Sequence, residues 1–175
     1  AVRSDPPRDL FLALISLCWG ALYVSLLYPF LFHVRQLGPE GFHWTLLLLG
    51  AIWLGDTAAM WVGKYLGKRK LAPTVSPNKT VEGFLGGLAG SVALGLVFGL
   101  VLFEQVSPAL VAGGALVVSL VGQLGDLVES LWKRSVGIKD SSAFIPGHGG
   151  ILDRFDSLAF AAPALYVYLL ILSRW

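Results

Sequence analysis

The stretch LLLLGAIWLGDTAAMWVG, residues 46–63, decides the fold, because it is a nearly continuous apolar run that contains a single carboxylate, Asp56. About 20 apolar residues in a helix are enough to cross the hydrocarbon core of a bilayer. An aspartate at membrane depth is costly, so it usually faces a bundle interior or a wet cavity with a partner. The stretch predicts a spanning helix with a functional group inside it. The alternative is a structural aspartate that pairs with a lysine or caps a helix break after Gly55.

The rest of the chain has a composition typical of such helices. Of its 175 residues 55% are hydrophobic and 14% are charged, whereas soluble domains have about 25% charged residues. The apolar segments lie at 10–32, 42–63, 84–103, 109–125 and 155–173. We therefore predict an all-α polytopic membrane helix bundle with about five transmembrane helices, which forms one domain over residues 1–175. The only cysteine, Cys18, lies in an apolar run and is predicted to be a buried structural thiol.

The distribution of positive charge predicts the orientation. Lys and Arg are concentrated in the N-terminus and in two long polar loops, 64–83 and 126–154, whereas the other connections are nearly free of them. By the positive-inside rule, the N-terminus and both long loops face the cytoplasm. The net charge of +2 is too small to indicate a nucleic-acid partner.

The stretch KLAPTVSPNKTVEGFLGG, residues 70–87, contains two prolines that preclude a regular helix in its first half. Ser76, Asn78 or Thr80 is expected to cap the helix that follows. Lys79 then lies near a helix N-terminus, where backbone N–H groups already favour an anion. This combination predicts a phosphate site, and the alternative is a lysine that extends to the membrane interface.

A second polar cluster follows in GQLGDLVESLWKRSVGIKDSSAF, residues 122–144. Asp126, Glu129, Ser130 and Lys133 are spaced i, i+3, i+4 and i+7, which places them on one helical face. Carboxylates and then cations therefore line the end of the fourth apolar helix.

A third cluster, GHGGILDRFDS at residues 147–157, precedes the last apolar segment. Its glycines allow backbone N–H groups to approach a ligand, and Asp153 and Asp156 share a helical face. Carboxylate oxygens without soft ligands favour Mg²⁺ or Mn²⁺ over zinc. Together with the cations, they predict phosphoryl or nucleotidyl transfer. The alternative is a basic juxtamembrane segment that binds acidic lipids, which does not explain the aspartates.

The sequence SLWKRSVGIKDSSAFIPGHGGILDRFDS, residues 130–157, resembles the signature of the phosphatidate cytidylyltransferases, the CDP-diacylglycerol synthases. The stretch GDTAAMWVGKYLGKRKLAPTVSPNKTVEG, residues 55–83, is also similar to that family, with Met60 and Asn78 as departures from its usual pattern. The positions that match the signature are Ser130, Lys133, Arg134, Lys139, Asp140, His148, Gly149, Gly150, Asp153, Arg154 and Asp156.

The resemblance implies transfer of CMP from CTP to phosphatidic acid, which gives CDP-diacylglycerol and pyrophosphate. It also implies Mg²⁺, with or without a second cation such as K⁺, a homodimer, and an active site at the cytoplasmic face of a bacterial inner membrane. Carried over to this chain, the metal ligands are Asp126 and Asp153, and the catalytic residues are Lys133, Arg134, Lys139, Asp140, His148 and Asp156. The implied substrate-binding residues are Asp56, Lys79, Thr80, Glu82, Glu129, Ser130, Gly149, Gly150 and Arg154.

Family members are usually longer, with further N-terminal membrane helices, and this chain matches roughly the C-terminal two-thirds of their pattern. Other functions remain open from the sequence. An enzyme of the same superfamily could act on another lipid, as a CDP-archaeol synthase or a CTP-dependent polyprenol kinase. A transporter would use Asp56 as a coupling site, and a fragment without the N-terminal helices would be inactive.

Overall fold

The computed structural model describes residues 6–23, 25, 29–135, 137 and 152–172. Within these ranges the chain forms six helices and a short antiparallel hairpin. In chain order these are α1 (Pro6–Leu22), α2 (Pro29–Arg35), α3 (Gly41–Leu66), β1 (Lys70–Ala72), β2 (Ser76–Thr80), α4 (Val81–Val101), α5 (Pro108–Ser135) and α6 (Leu152–Leu172).

The prediction of an all-α membrane bundle is confirmed in its main lines. Three described helices, α3, α4 and α5, are long and apolar enough to cross a membrane. The apolar parts of α1 and α6, Ala13–Leu22 and Asp156–Leu172, are shorter. By length and composition, the described residues provide three spans, and the count of about five stays a prediction.

The apolar segment 10–32 contains most of α1 and the first turn of α2, which begins at Pro29. Residues 24 and 26–28 lie outside the described ranges, so the expectation of one helix over 10–32 stays a prediction. Proline is tolerated in the first turn of a helix but disrupts its interior, because it lacks a backbone N–H. Cys18 is exposed on α1 rather than buried, so it does not contribute to the core.

Helix α4 packs through a stripe of small residues that recurs every four positions. The buried residues of α4 are Gly83, Gly87, Ser91, Gly95 and Gly99. A Cβ on Gly95 would lie 2.8 Å from both the Ala112 Cα and the Ala115 Cβ. Small residues let helix backbones approach closely in a membrane, and this stripe brings α4 against both α3 and α5.

The apolar core lies among α3, α5 and α6. Leu47 and Leu48 of α3, Val118 of α5 and Leu165 of α6 are fully buried. Trp44 packs edge-to-face on Phe103, with ring centroids 4.7 Å apart. This packing places the C-terminal half of α5 and the start of α6 at one end of the bundle.

The hairpin stands at that same end and was not predicted. Lys70 pairs with Thr80 and Ala72 pairs with Ser76, with an irregularity between these pairs. At the end of β2, the Thr80 hydroxyl accepts a hydrogen bond from the Gly83 N–H at 3.1 Å and caps α4. The prediction that the 70–87 stretch starts outside a helix and then caps one is therefore confirmed, with Thr80 as the cap.

Candidate active site

A cavity of about 420 Å³ opens where the hairpin meets α3, α4 and α5. This volume is in the range of small-molecule binding sites, about 300–1,000 Å³. Its wall combines apolar residues with a concentration of polar ones, which are Asp56, Lys64, Asn78, Lys79, Thr80, Gln123 and Asp126. Four of the predicted site residues, Asp56, Lys79, Thr80 and Asp126, thus surround one space.

An ion pair between Lys79 and Asp126 crosses the cavity wall. Lys79 lies on β2 and Asp126 on α5, so the hairpin brings together two residues far apart in sequence. Both side chains retain 28% exposure, which leaves them accessible to a ligand. The other Asp126 oxygen, Oδ1, accepts a hydrogen bond from the Ser130 hydroxyl at 3.4 Å. A cation and a carboxylate are thus held within reach of the same bound molecule.

Two further carboxylates contribute to the electrostatic field of the cavity. Asp56 on α3 and Asp156 on α6 lie close enough to Asp126 to experience its charge. Asp156 Oδ1 accepts hydrogen bonds from the Ser157 N–H at 2.6 Å and from the Ser157 hydroxyl at 3.2 Å. Because like charges repel, the three neighbouring carboxylates Asp56, Asp126 and Asp156 create a region that favours a cation.

Glu129 and Lys133 occupy the next turn of α5. Their side chains form an ion pair at 3.3 Å, and their exposures are 1% and 14%. Tyr23 donates to Glu129 Oε2 at 3.4 Å and to the Asp156 carbonyl at 3.2 Å. The four residues that the spacing predicts on one face of α5 do share that face. Glu129 and Lys133 nevertheless lie outside the cavity wall, where Tyr23 links Glu129 to the start of α6.

Two predicted residues make contacts that hold the hairpin in place. Glu82 accepts hydrogen bonds from the backbone N–H groups of Lys68 and Arg69, at 3.0 and 3.2 Å, and forms an ion pair with the Arg69 side chain. Arg134 donates to the Val75 carbonyl at 3.5 Å. This last contact places the end of α5, which begins the predicted polar region 126–154, beside the hairpin of the predicted polar region 64–83.

Several predicted residues fall outside the part of the chain that the structure describes. The backbone of α6 covers Asp153 and Arg154, but their side chains are not described. Asp153 is three residues before Asp156, so it lies at the same end of α6. The predicted residues wholly outside the described ranges are Lys139, Asp140, His148, Gly149 and Gly150.

The cavity also contains residues that the sequence-based site did not include. Gln123 lies one turn before Asp126, and its amide donates to the Ser119 hydroxyl at 3.2 Å and to the Phe84 carbonyl at 3.4 Å. Lys64 lines the cavity near the end of α3. Met60 and Asn78, the two departures from the family pattern, line it as well. The available signal for Gln123 was an amide at the end of the apolar part of α5, one turn before Asp126.

The donor set is compatible with Mg²⁺. Mg²⁺ is commonly held by only one or two carboxylates together with substrate phosphates. Asp126 offers oxygen donors on the cavity wall, and Asp56 and Asp156 add negative charge around it. Within the described ranges, no group of three or more His, Cys, Asp or Glu side chains could hold a metal by itself. The residues therefore fit a metal site that is completed by a phosphate ligand better than a structural site in which the protein supplies all the ligands.

Comparison with known proteins gives consistent matches. The sequence model of the cytidylyltransferase family matches residues 5–172. A phosphatidate cytidylyltransferase of Staphylococcus aureus (strain COL) is 46% identical over 148 residues, which cover 85% of this chain and 56% of that protein. One from Bacillus subtilis (strain 168) is 44% identical over 154 residues, 88% of this chain and 57% of that protein. The chain thus spans little more than half the length of the curated relatives it matches.

Proposed function

Because this chain belongs to the cytidylyltransferase family, we propose that it transfers CMP from CTP to phosphatidic acid and releases pyrophosphate. The observation that carries the proposal is the cavity in which Lys79 and Asp126 face a common space at the polar end of membrane helices. The similar proteins from Staphylococcus aureus and Bacillus subtilis are named for this reaction.

The reaction needs an anionic nucleophile and a stabilised leaving group. A phosphate oxygen of phosphatidate attacks the α-phosphorus of CTP and forms a new P–O bond. The bond from the α-phosphorus to the oxygen that bridges it to the β-phosphorus breaks, and pyrophosphate leaves with that electron pair. Since phosphatidate is already anionic, positioning and charge stabilisation matter more than a general base.

The cations of the chain supply that stabilisation in our proposal. Lys79 lies on the cavity wall, where its ammonium can move from Asp126 to a phosphate oxygen over a short distance. Lys133 and Arg134 lie on the polar end of α5 and Lys139 follows them in sequence, and the three balance the charge of the transferring oxygens. His148 orients a phosphate, and the amides of Gly149 and Gly150 donate further hydrogen bonds.

We propose that Asp126 and Asp153 hold Mg²⁺, with or without a second cation such as K⁺. The bound ion would neutralise the phosphate oxygens of the nucleotide. Asp126 serves this role through its accessible oxygens, and Ser130 orients it by donating to Oδ1. Asp56, Asp140 and Asp156 add negative charge around the ion without needing to touch it.

The reaction takes place at a membrane surface. Lys64, Lys68, Arg69, Lys70 and Lys79 lie at the end of the bundle that carries the cavity, and the positive-inside rule assigns such an end to the cytoplasm. We therefore propose an integral, multi-pass protein of a bacterial inner membrane, active as a homodimer.

The decisive experiment is an assay of the purified protein with radiolabelled CTP, phosphatidic acid and Mg²⁺. We expect label from the α-phosphate in a lipid product, label from the γ-phosphate in pyrophosphate, and no reaction in excess EDTA. Transfer of the γ-phosphate to the lipid would instead indicate a CTP-dependent kinase. Product formation only with an archaeal ether lipid acceptor would indicate CDP-archaeol synthesis, and no product with any acceptor would indicate an inactive chain.

A further inference from the structure

Lys64 differs from the other cations around the cavity in what its ammonium contacts. Lys79 pairs with Asp126, Lys133 with Glu129, and Arg69 with Glu82. The ammonium of Lys64 instead lies 5.9 Å from the ring centroid of Trp61 and 5.7 Å from that of Tyr65. Among the described residues, no carboxylate lies within ion-pair distance of it. Its positive charge is therefore available to an anion that enters the cavity.

The two rings beneath Lys64 face outward. Trp61 and Tyr65 stack with centroids 5.5 Å apart and an interplanar angle of 14°, and they are 50% and 67% exposed. They lie in the last turns of a helix that is long and apolar enough to span a membrane. Tryptophan and tyrosine concentrate at the headgroup level of bilayers, where an amphipathic ring is favoured. Lys64 is thus placed at the depth of lipid phosphates.

The cavity connects this position with the carboxylates. Asp56 and Lys64 both line it and are eight residues apart on α3, which corresponds to about 12 Å along the helix. Met60, between them, also lines the cavity and is 61% exposed. The cavity therefore has a mouth at the outer surface of α3, where a lipid could keep its acyl chains in the bilayer while its phosphate enters.

We propose that Lys64, supported by Trp61 and Tyr65, binds the phosphate of the anionic lipid substrate at the membrane-facing mouth of the cavity. The inference rests on the proposed function and assigns it a lipid-binding residue. The triphosphate of the nucleotide offers the same chemistry, but it dissolves in water and needs no outward aromatic pair. The exposed rings and the position at headgroup depth favour the lipid.

The first test measures KM separately for the two substrates in mixed micelles. We expect Lys64→Met to raise the KM for phosphatidate about five- to tenfold, as for the loss of one interfacial charge contact, while kcat and the KM for CTP change little. Lys64→Arg should restore most of the affinity. Lys68→Met is the matched control, since Lys68 is an exposed lysine just after the end of α3 that does not line the cavity. The proposal would be overturned if Lys64→Met raised only the KM for CTP, or if it raised neither of the two KM values.

The second test does not depend on turnover. Phosphatidate with brominated acyl chains should quench tryptophan fluorescence more strongly than brominated phosphatidylcholine at the same mole fraction. The difference between the wild type and Trp61→Phe isolates the signal of Trp61 from the six tryptophans of the chain. We expect this preference to disappear in Lys64→Met. Equal quenching by the two lipids would overturn the lipid site, whereas preferential quenching without any turnover would retain it and reject the proposed function.

Discussion

The two halves of α5 differ in the residues that they bury against the neighbouring helices. From Val111 to Gly122 this face consists of small and apolar residues packed against α3, α4 and α6, and from Gln123 to Lys133 it carries amide, carboxylate and ammonium groups. The first half depends on close approach of backbones, and the second depends on paired charges. The difference indicates that the membrane part of the bundle depends on close packing, while the polar end carries the groups to which we assign the chemistry.

The largest effect should come from the carboxylates of the polar half. Asp126→Asn keeps a side chain of the same size but removes the charge that we assign to Mg²⁺. We expect turnover to fall about 10³-fold or more, as when a preorganised charged group is removed from an active site. Asp153→Asn should have a similar effect, and initial rates with saturating CTP measure both.

The control for these variants is Glu104→Gln, which removes an exposed carboxylate at the far end of the bundle, between α4 and α5. It should leave the rate unchanged, and all three variants should elute from size exclusion like the wild type. Near-normal turnover in Asp126→Asn or Asp153→Asn would remove that residue from the metal role.

The next effect concerns the stability of the polar half itself. Lys133→Met removes an ion-pair partner from the buried carboxylate of Glu129, whose side chain is only 1% exposed. Breaking a buried pair on one side costs about 3 kcal/mol or more, and we expect a clear fall in the midpoint of thermal unfolding in detergent. The double variant Lys133→Met with Glu129→Leu should recover much of that loss, because it removes the Glu129 carboxylate together with its ion-pair partner. A double variant less stable than Lys133→Met alone would contradict a charge-pair explanation.

Sequence patterns predicted the parts of the molecule that local signals determine. The apolar runs of α3, α4 and α5 coincide with helices, and Thr80 caps α4. These features depend on neighbours within one or two helical turns, so a single stretch of sequence contains the information.

The rest depends on contacts between distant parts of the chain. The Lys79–Asp126 pair forms because the hairpin packs on α4 and brings Lys79 within reach of α5, and no local pattern reports that distance. The position of Gln123 in the cavity wall, and of Lys64 over two rings, arises from helix packing in the same way. Residue types at the site could therefore be predicted, but their partners could not.

A third prediction tests the close packing of the membrane half. Gly95→Val would place side-chain atoms where Ala112 and Ala115 already approach to within 2.8 Å of a Cβ. Overpacking of this kind typically costs about 1–3 kcal/mol, so the unfolding midpoint should fall, by less than in Lys133→Met. Ala89→Val is the matched control, since Ala89 is an exposed small residue on the same helix. An equal loss in the control would mean that helix propensity, not packing against α5, determines the effect.

The smallest effect is expected for the exposed pair that closes the hairpin. Arg69 Nε lies 3.1 Å from Glu82 Oε1, but the arginine side chain is 72% exposed, and exposed ion pairs contribute little because water and salt screen them. Glu82 also accepts hydrogen bonds from two backbone N–H groups, those of Lys68 and Arg69, which Arg69→Met leaves in place. We therefore expect almost no change of the unfolding midpoint in Arg69→Met, and a larger fall in Glu82→Ala, which removes all three contacts. The expectation would be contradicted if the unfolding midpoint of Arg69→Met fell as far as that of Lys133→Met, also in high salt. The exposed Arg69–Glu82 pair would then stabilise the protein as much as the buried Lys133–Glu129 pair.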